Sequence, residues 1–142
     1  MSTTGKHRGI SADFRLDDSA GSLIDISNQC NNVDLTNAVE SFDVTAFQDT
    51  GKAYLVGFSD GKFSVSGFAN GTIIAHLMGL VATAGSGTTR SFQWGPEGTT
   101  SGNPKFTGEC FVTSFKTDSK VNAPNTFQLD LQVTGAITAT TY

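Results

Sequence analysis

Near its end the chain reads Phe127-Gln-Leu-Asp-Leu-Gln-Val133. Phe127, Leu129, Leu131 and Val133 fall on one face of an extended chain, and Gln128, Asp130 and Gln132 on the other. A strict period of two marks a strand with one buried face. The strand can run on to residue 141, bent at Gly135.

The same period recurs upstream. Residues 105–117 alternate, with Phe111 and Phe115 spaced by four. Phe42, Val44 and Ala46 alternate with Asp43 and Thr45 across residues 40–47. Residues 53–58 and 62–68 flank Asp60-Gly61, a dipeptide that favours a tight hairpin turn, with Phe63 and Val65 on one face. Leu23 to Ile26 and Arg90 to Trp94 read as short strands. Turn chemistry fills residues 27–32, 95–104 and 119–125, the last around Pro124. One helix interrupts the pattern. Asn70 is placed to cap it, Ile73, Ile74, Leu77, Leu80 and Val81 recur at helical spacing, and Gly85 ends it. About seven strands in runs with one helix imply an α+β, mainly antiparallel domain: a sandwich or partial barrel with a flanking helix.

Composition agrees. The chain has 142 residues, with 14 Ser, 19 Thr, 16 Gly and 11 Phe against one Trp and two Tyr. These residues favour strands and turns, which argues against a helical bundle, a coiled coil and a doubly wound α/β enzyme. Length fits one domain. Residues 1–21 mix Ser, Thr, Gly and charge without a period and read as an N-terminal arm, disordered or ordered only by a partner, leaving residues 22–142 as one domain. The net charge is −4, which argues against a tight grip on DNA phosphates. No apolar run is long enough to span a membrane, and residues 1–9 do not read as a signal peptide. Cys30 and Cys110 read as reduced thiols, with a disulfide as the alternative.

Chemistry is sparse. Gly57-Phe-Ser-Asp-Gly-Lys62 is one residue short of a phosphate loop and precedes no helix. The carboxylates are scattered singly, apart from Asp17-Asp18. His7 and His76 with the two cysteines match no zinc spacing. His76 lies opposite the Ile73/Ile74 stripe and reads as facing solvent or an interface. No catalytic, cofactor-binding or metal residue emerges, so an enzyme is a distant third reading. What stands out is an absence of charge from Phe63 to Thr89, unusual for a helix on an open surface. That pattern, with the low overall charge, suits a subunit.

Four stretches carry a resemblance. They are Ser41-Phe-Asp-Val-Thr-Ala-Phe-Gln-Asp-Thr-Gly-Lys-Ala-Tyr-Leu-Val-Gly-Phe-Ser-Asp-Gly-Lys-Phe-Ser-Val-Ser-Gly-Phe68, Phe92-Gln-Trp-Gly-Pro-Glu-Gly-Thr-Thr-Ser-Gly-Asn103, Gly108-Glu-Cys-Phe-Val-Thr113 and Val133-Thr-Gly-Ala-Ile-Thr138. In this order and spacing, across residues 22–142, the sequence resembles the major tail tube proteins of long-tailed bacteriophages. It departs at Gln48, where glycine is common.

The resemblance implies homohexameric rings in which each subunit gives about four strands to one inner barrel, stacked into a tube. It implies a virion tail protein, assembled in the host bacterial cytoplasm. Its partners would be copies of itself, the tape measure protein, and the tail terminator and distal tail proteins, with DNA passing through the lumen without tight binding. It points to Gln48, Asp49, Thr50, Gly51 and Lys52 as subunit contacts. The uncharged outer face of the helix adds Thr72, Ala75 and His76. The alternatives are the ring protein of a contractile secretion-like system and a monomeric β-sandwich binding module.

Overall fold

The computed structural model describes residues 9–18 and 21–142. The strands are β1 (Asp13–Asp17), β2 (Leu23–Asp25), β3 (Cys30–Asp43), β4 (Tyr54–Phe68), β5 (Arg90–Gly95), β6 (Pro104–Lys120) and β7 (Ala123–Thr141), and the helix α1 (Gly71–Ala84) lies between β4 and β5. All seven strands form a single antiparallel sheet in the order β2-β1-β5-β6-β7-β4-β3. The fold is therefore mainly antiparallel β with one flanking helix.

The sheet curls without closing into a barrel. β1 and β4 stand four strands apart, about 19 Å in a flat sheet. Yet the rings of Phe14 on β1 and Phe63 on β4 lie 5.2 Å apart, and those of Phe63 and Phe92 4.8 Å. Only a strongly curved sheet brings them together. The concave face holds Phe14, Leu16, Phe63, Val65, Phe92, Leu129 and Leu131, and α1 drops Ile73, Leu77 and Leu80 into the same core while packing on β6. The Asn70 side chain caps the helix, accepting from the Ile73 amide at 2.9 Å. The alternation at residues 127–133 holds throughout: the four apolar side chains are buried. Gly135 bends β7 with a φ of 80°.

Several expectations are corrected. Residues 13–17 of the stretch read as an arm form β1, paired with β2 and β5, and Phe14 and Leu16 are fully buried. Two apolar positions among charges are too few to show a period, but they suffice to anchor a short strand. Residues 1–8, 19 and 20, also in that stretch, lie outside the described residues.

Asp60-Gly61 is not a turn. It lies inside β4, opposite Ala38 and Asn37 of β3. Gly61 serves close packing instead: a Cβ there would stand 2.9 Å from Ile137 Cδ1 and 3.3 Å from Val133 Cβ. The true hairpin loop is residues 44–53, and the strand expected at 40–47 is the end of a longer one. Phe42, Val44 and Ala46 are exposed there, not half-buried. Of the turn expected at 27–32, only Ser27–Gln29 is a turn, a single 3-10 one. At the other loop, β6 and β7 meet around Val121 and Asn122 alone.

Candidate assembly surface

The core stops partway along the β3–β4 hairpin. Leu35 and Phe63, paired across it, pack into the body. Beyond them the two strands run on as a projecting finger whose apolar side chains have nothing to cover them among the described residues. Val39, Phe42, Val44, Tyr54, Leu55 and Val56 are exposed, Phe58 is 86 % exposed and Phe47 wholly so. A monomer gains nothing from such a surface, and contiguous apolar patches of this kind mark interaction sites.

The tip of the finger is ordered by its own side chains. Thr45 donates to Asp43 Oδ1 from its hydroxyl at 2.6 Å and from its amide at 3.0 Å. Those bonds, the hydroxyl's first, hold the exposed Asp43 carboxyl below its usual range. The Thr45 hydroxyl in turn accepts from the Ala53 amide at 3.0 Å, and Asp49 Oδ2 from the Ala46 amide at 2.7 Å. Gln48, Asp49, Thr50, Gly51 and Lys52 all lie in this exposed loop.

Thr72, Ala75 and His76 lie elsewhere. α1 follows the far end of β4, so the two sets of residues stand at opposite ends of a strand spanning roughly 45 Å. Thr72 and Ala75 are exposed, as is Met78 beside them. His76 departs from its expected outward placing. It is half-buried, and its Nε2 is enclosed without a hydrogen-bond partner among the described residues. Burial lowers its pKa, with the charge of Asp18 opposing. Asp18, just past β1, comes near enough to act on the charge of His76, so that flank of the helix is not open.

A second surface was not visible in the sequence. On β3, β4, β7 and the second half of β6, the convex face of the sheet has no covering layer among the described residues. Its rungs are Asn32, Ser66, Gln128 and Lys116, then Asp34, Ser64, Asp130 and Ser114, then Thr36, Lys62, Gln132 and Phe111. Each strand's alternation is legible alone, but only the register assembles the rungs into one polar panel.

A polar cluster around the buried Asp13 ties β1 to the end of the chain. Asp13, 5 % exposed, accepts from Arg15 Nε at 3.0 Å, from the Tyr142 hydroxyl at 3.3 Å and from the Ser27 hydroxyl at 3.4 Å. Gln93 Nε2 donates to the Tyr142 hydroxyl at 3.2 Å. Every member is hydrogen-bonded, which is what a structural cluster requires. Cys30 and Cys110 are free thiols, each pushed up to about 12 by burial. Among the described residues no group of three or more His, Cys, Asp or Glu could hold a metal ion, and no helix is long and apolar enough to cross a membrane.

An open curled sheet with a flanking helix, a polar panel and a projecting hairpin defines the class of fold. No family model matches the chain, and no curated protein matches it in sequence. Solved structures do. A chain from the tail of an empty gene transfer agent particle, determined with C6 symmetry, superposes with a TM-score of 0.75 over 95% of this chain and 99% of its own, at 18% identity. The SPP1 tail tube protein superposes with a TM-score of 0.72 over 96% of this chain and 80% of its own, at 11% identity. A chain of the anti-feeding prophage baseplate reaches 0.61 over 99% and 97%, at 10% identity. The chain thus has the tail tube fold.

Proposed function

We propose that this protein is the structural subunit of a bacteriophage tail tube, a virion component built from stacked homohexameric rings. The observation that carries the reading is the pairing of two unsatisfied surfaces in one monomer: the uncovered polar panel and the apolar finger. The fold likeness to tail and tail tube chains supports it.

In a ring, the four panel strands of each subunit contribute to one inner barrel with the polar face toward the lumen. A barrel of 24 strands about 4.8 Å apart is roughly 37 Å across before tilt widens it, whereas eight strands leave no channel. The panel carries Asp34, Asp60 and Asp130 against Lys62 and Lys116, mixed with Ser, Thr, Asn and Gln. Such a wall wets the channel and offers phosphates no basic track, so DNA slides without sticking.

The finger reaches a neighbouring subunit, with Gln48, Asp49, Thr50, Gly51 and Lys52 at its tip and the exposed phenylalanines as its adhesive. Thr72, Ala75 and the rest of the uncharged helix surface meet another subunit. The tube encloses the tape measure protein, is bounded by tail terminator and distal tail proteins, and assembles in the host bacterial cytoplasm. The second reading is the ring protein of a contractile secretion-like system, which would share the ring.

Light scattering over a range of concentrations tests the reading. Growth from the 14.9 kDa monomer to rings and tubes is expected. A monomer at every concentration would favour a β-sandwich binding module. Ala75→Glu should block assembly and leave the monomer folded.

A further inference from the structure

Asn70 and Gly71 form the one Asn-Gly pair in the sequence. Both are exposed, and a Cβ on Gly71 would meet nothing within 4 Å. A carboxamide thus stands beside a backbone nitrogen that no side chain shields. Asn70 also caps α1. Its Oδ1 accepts from the Ile73 amide at 2.9 Å, and its backbone is extended, with φ −132° and ψ 176°. The Gly71 amide, first in the helix, has no intrahelical acceptor. The backbone angle of Asn70 is what keeps that nitrogen from the side chain.

We infer that Asn70-Gly71 is a deamidation site gated by the helix cap, with water as the co-reactant. The Gly71 nitrogen bonds to Asn70 Cγ, and the Cγ–Nδ2 bond breaks. Nδ2 leaves as ammonia, taking up the proton of the Gly71 amide. Water then opens the five-membered succinimide at either carbonyl, leaving aspartate or isoaspartate at position 70. Nothing is oxidised or reduced. Closing the ring requires Cβ and the Gly71 nitrogen to eclipse about the Cα–C bond, and at ψ 176° they are staggered. Rotation into line takes the backbone out of the cap geometry and breaks the bond to Ile73. The folded chain therefore resists by what a capping side chain contributes, between about twofold and thirtyfold. The two products diverge. Aspartate keeps a capping oxygen and adds a charge that the helix N-terminus favours. Isoaspartate routes the main chain through Cγ, so the cap is lost from a helix whose Ile73, Leu77 and Leu80 fill the core. Either product puts the first formal charge into the stretch from Phe63 to Thr89.

Peptide mass mapping of dilute full-length protein, held in mildly alkaline buffer, tests this whether or not rings form. Chain unfolded in guanidinium chloride should convert Asn70 about tenfold faster than folded chain, or more. With denaturant kept below the unfolding transition, conversion and hydrogen exchange of the Ile73 amide should rise together, because one opening exposes both. Aspartate and isoaspartate peptides should both appear. Gly71→Ala, which the open space allows, should slow conversion in both states, since a Cβ hinders the attacking nitrogen. Equal rates in folded and unfolded chain would show that the cap does not gate the reaction and would overturn the proposal. No conversion in the unfolded chain, aspartate as the sole product, or indifference to Gly71→Ala would overturn the ring-closing route itself.

Discussion

Replacing Phe47 by serine separates the stability of the subunit from that of the assembly. Phe47 is fully exposed at the tip of the finger, so its ring contributes nothing to the monomer's core. A surface change of that kind moves folding stability by no more than about 0.5 kcal/mol. If the ring is instead buried against a neighbour, full burial of a phenylalanine stabilises the contact by about 1.5–3 kcal/mol. Taking about 2 kcal/mol, the substitution weakens each subunit contact about 30-fold. The critical concentration for tube growth, measured by sedimentation, should rise by that order, while the thermal midpoint of the dilute monomer stays put. An unchanged critical concentration would mean that the tip remains in solvent. A lowered midpoint would mean that Phe47 packs on its own subunit. Either result refutes the reasoning.

Other outcomes follow from the fold itself. Gly67→Ala should destabilise the monomer or prevent its folding, because a Cβ there collides with the backbone at Gln29 and Cys30; chemical denaturation measures it, and a neutral result would show that β3 shifts freely at its start. Burial lowers the pKa of His76 below its ordinary 6.5. The unfolded chain then takes up a proton that the folded chain resists, so this contribution is whole above pH 6.5 and declines as pH falls below it, no more steeply than about 1.4 kcal/mol per pH unit. His76→Asn should flatten that slope in denaturation curves. Cys30 and Cys110, both pushed up to about 12, should resist alkylation at pH 8 until the protein unfolds, since the thiolate is the reactive form.

How much of this was legible in the sequence depended on where a residue's partners lie. The strand at 127–133 and the helix capped by Asn70 were readable because their signals are local: alternation in one, a capping side chain and a helical stripe in the other. β1 was not, because Phe14 and Leu16 gain their burial from β5 and from Phe63, distant in sequence. Asp60-Gly61 misled for the same reason. The glycine answers to Ile137 and Val133 across the sheet, not to the turn propensity of its dipeptide. Apolar alternation at Phe42, Val44 and Ala46 was read as a buried face when it forms part of the exposed finger. A pattern of apolar residues reports that something will cover them, and a single chain does not say whether the cover is its own. The candidate residues at the tip were locatable as a loop, but the polar panel needed the register of four strands.

End-on electron microscopy of concentrated protein addresses the central claim. The account predicts six-fold rings stacked into tubes, with an open channel inside a barrel wall of roughly 37 Å diameter or somewhat more. Featureless monomers, or oligomers with no central channel, would contradict it.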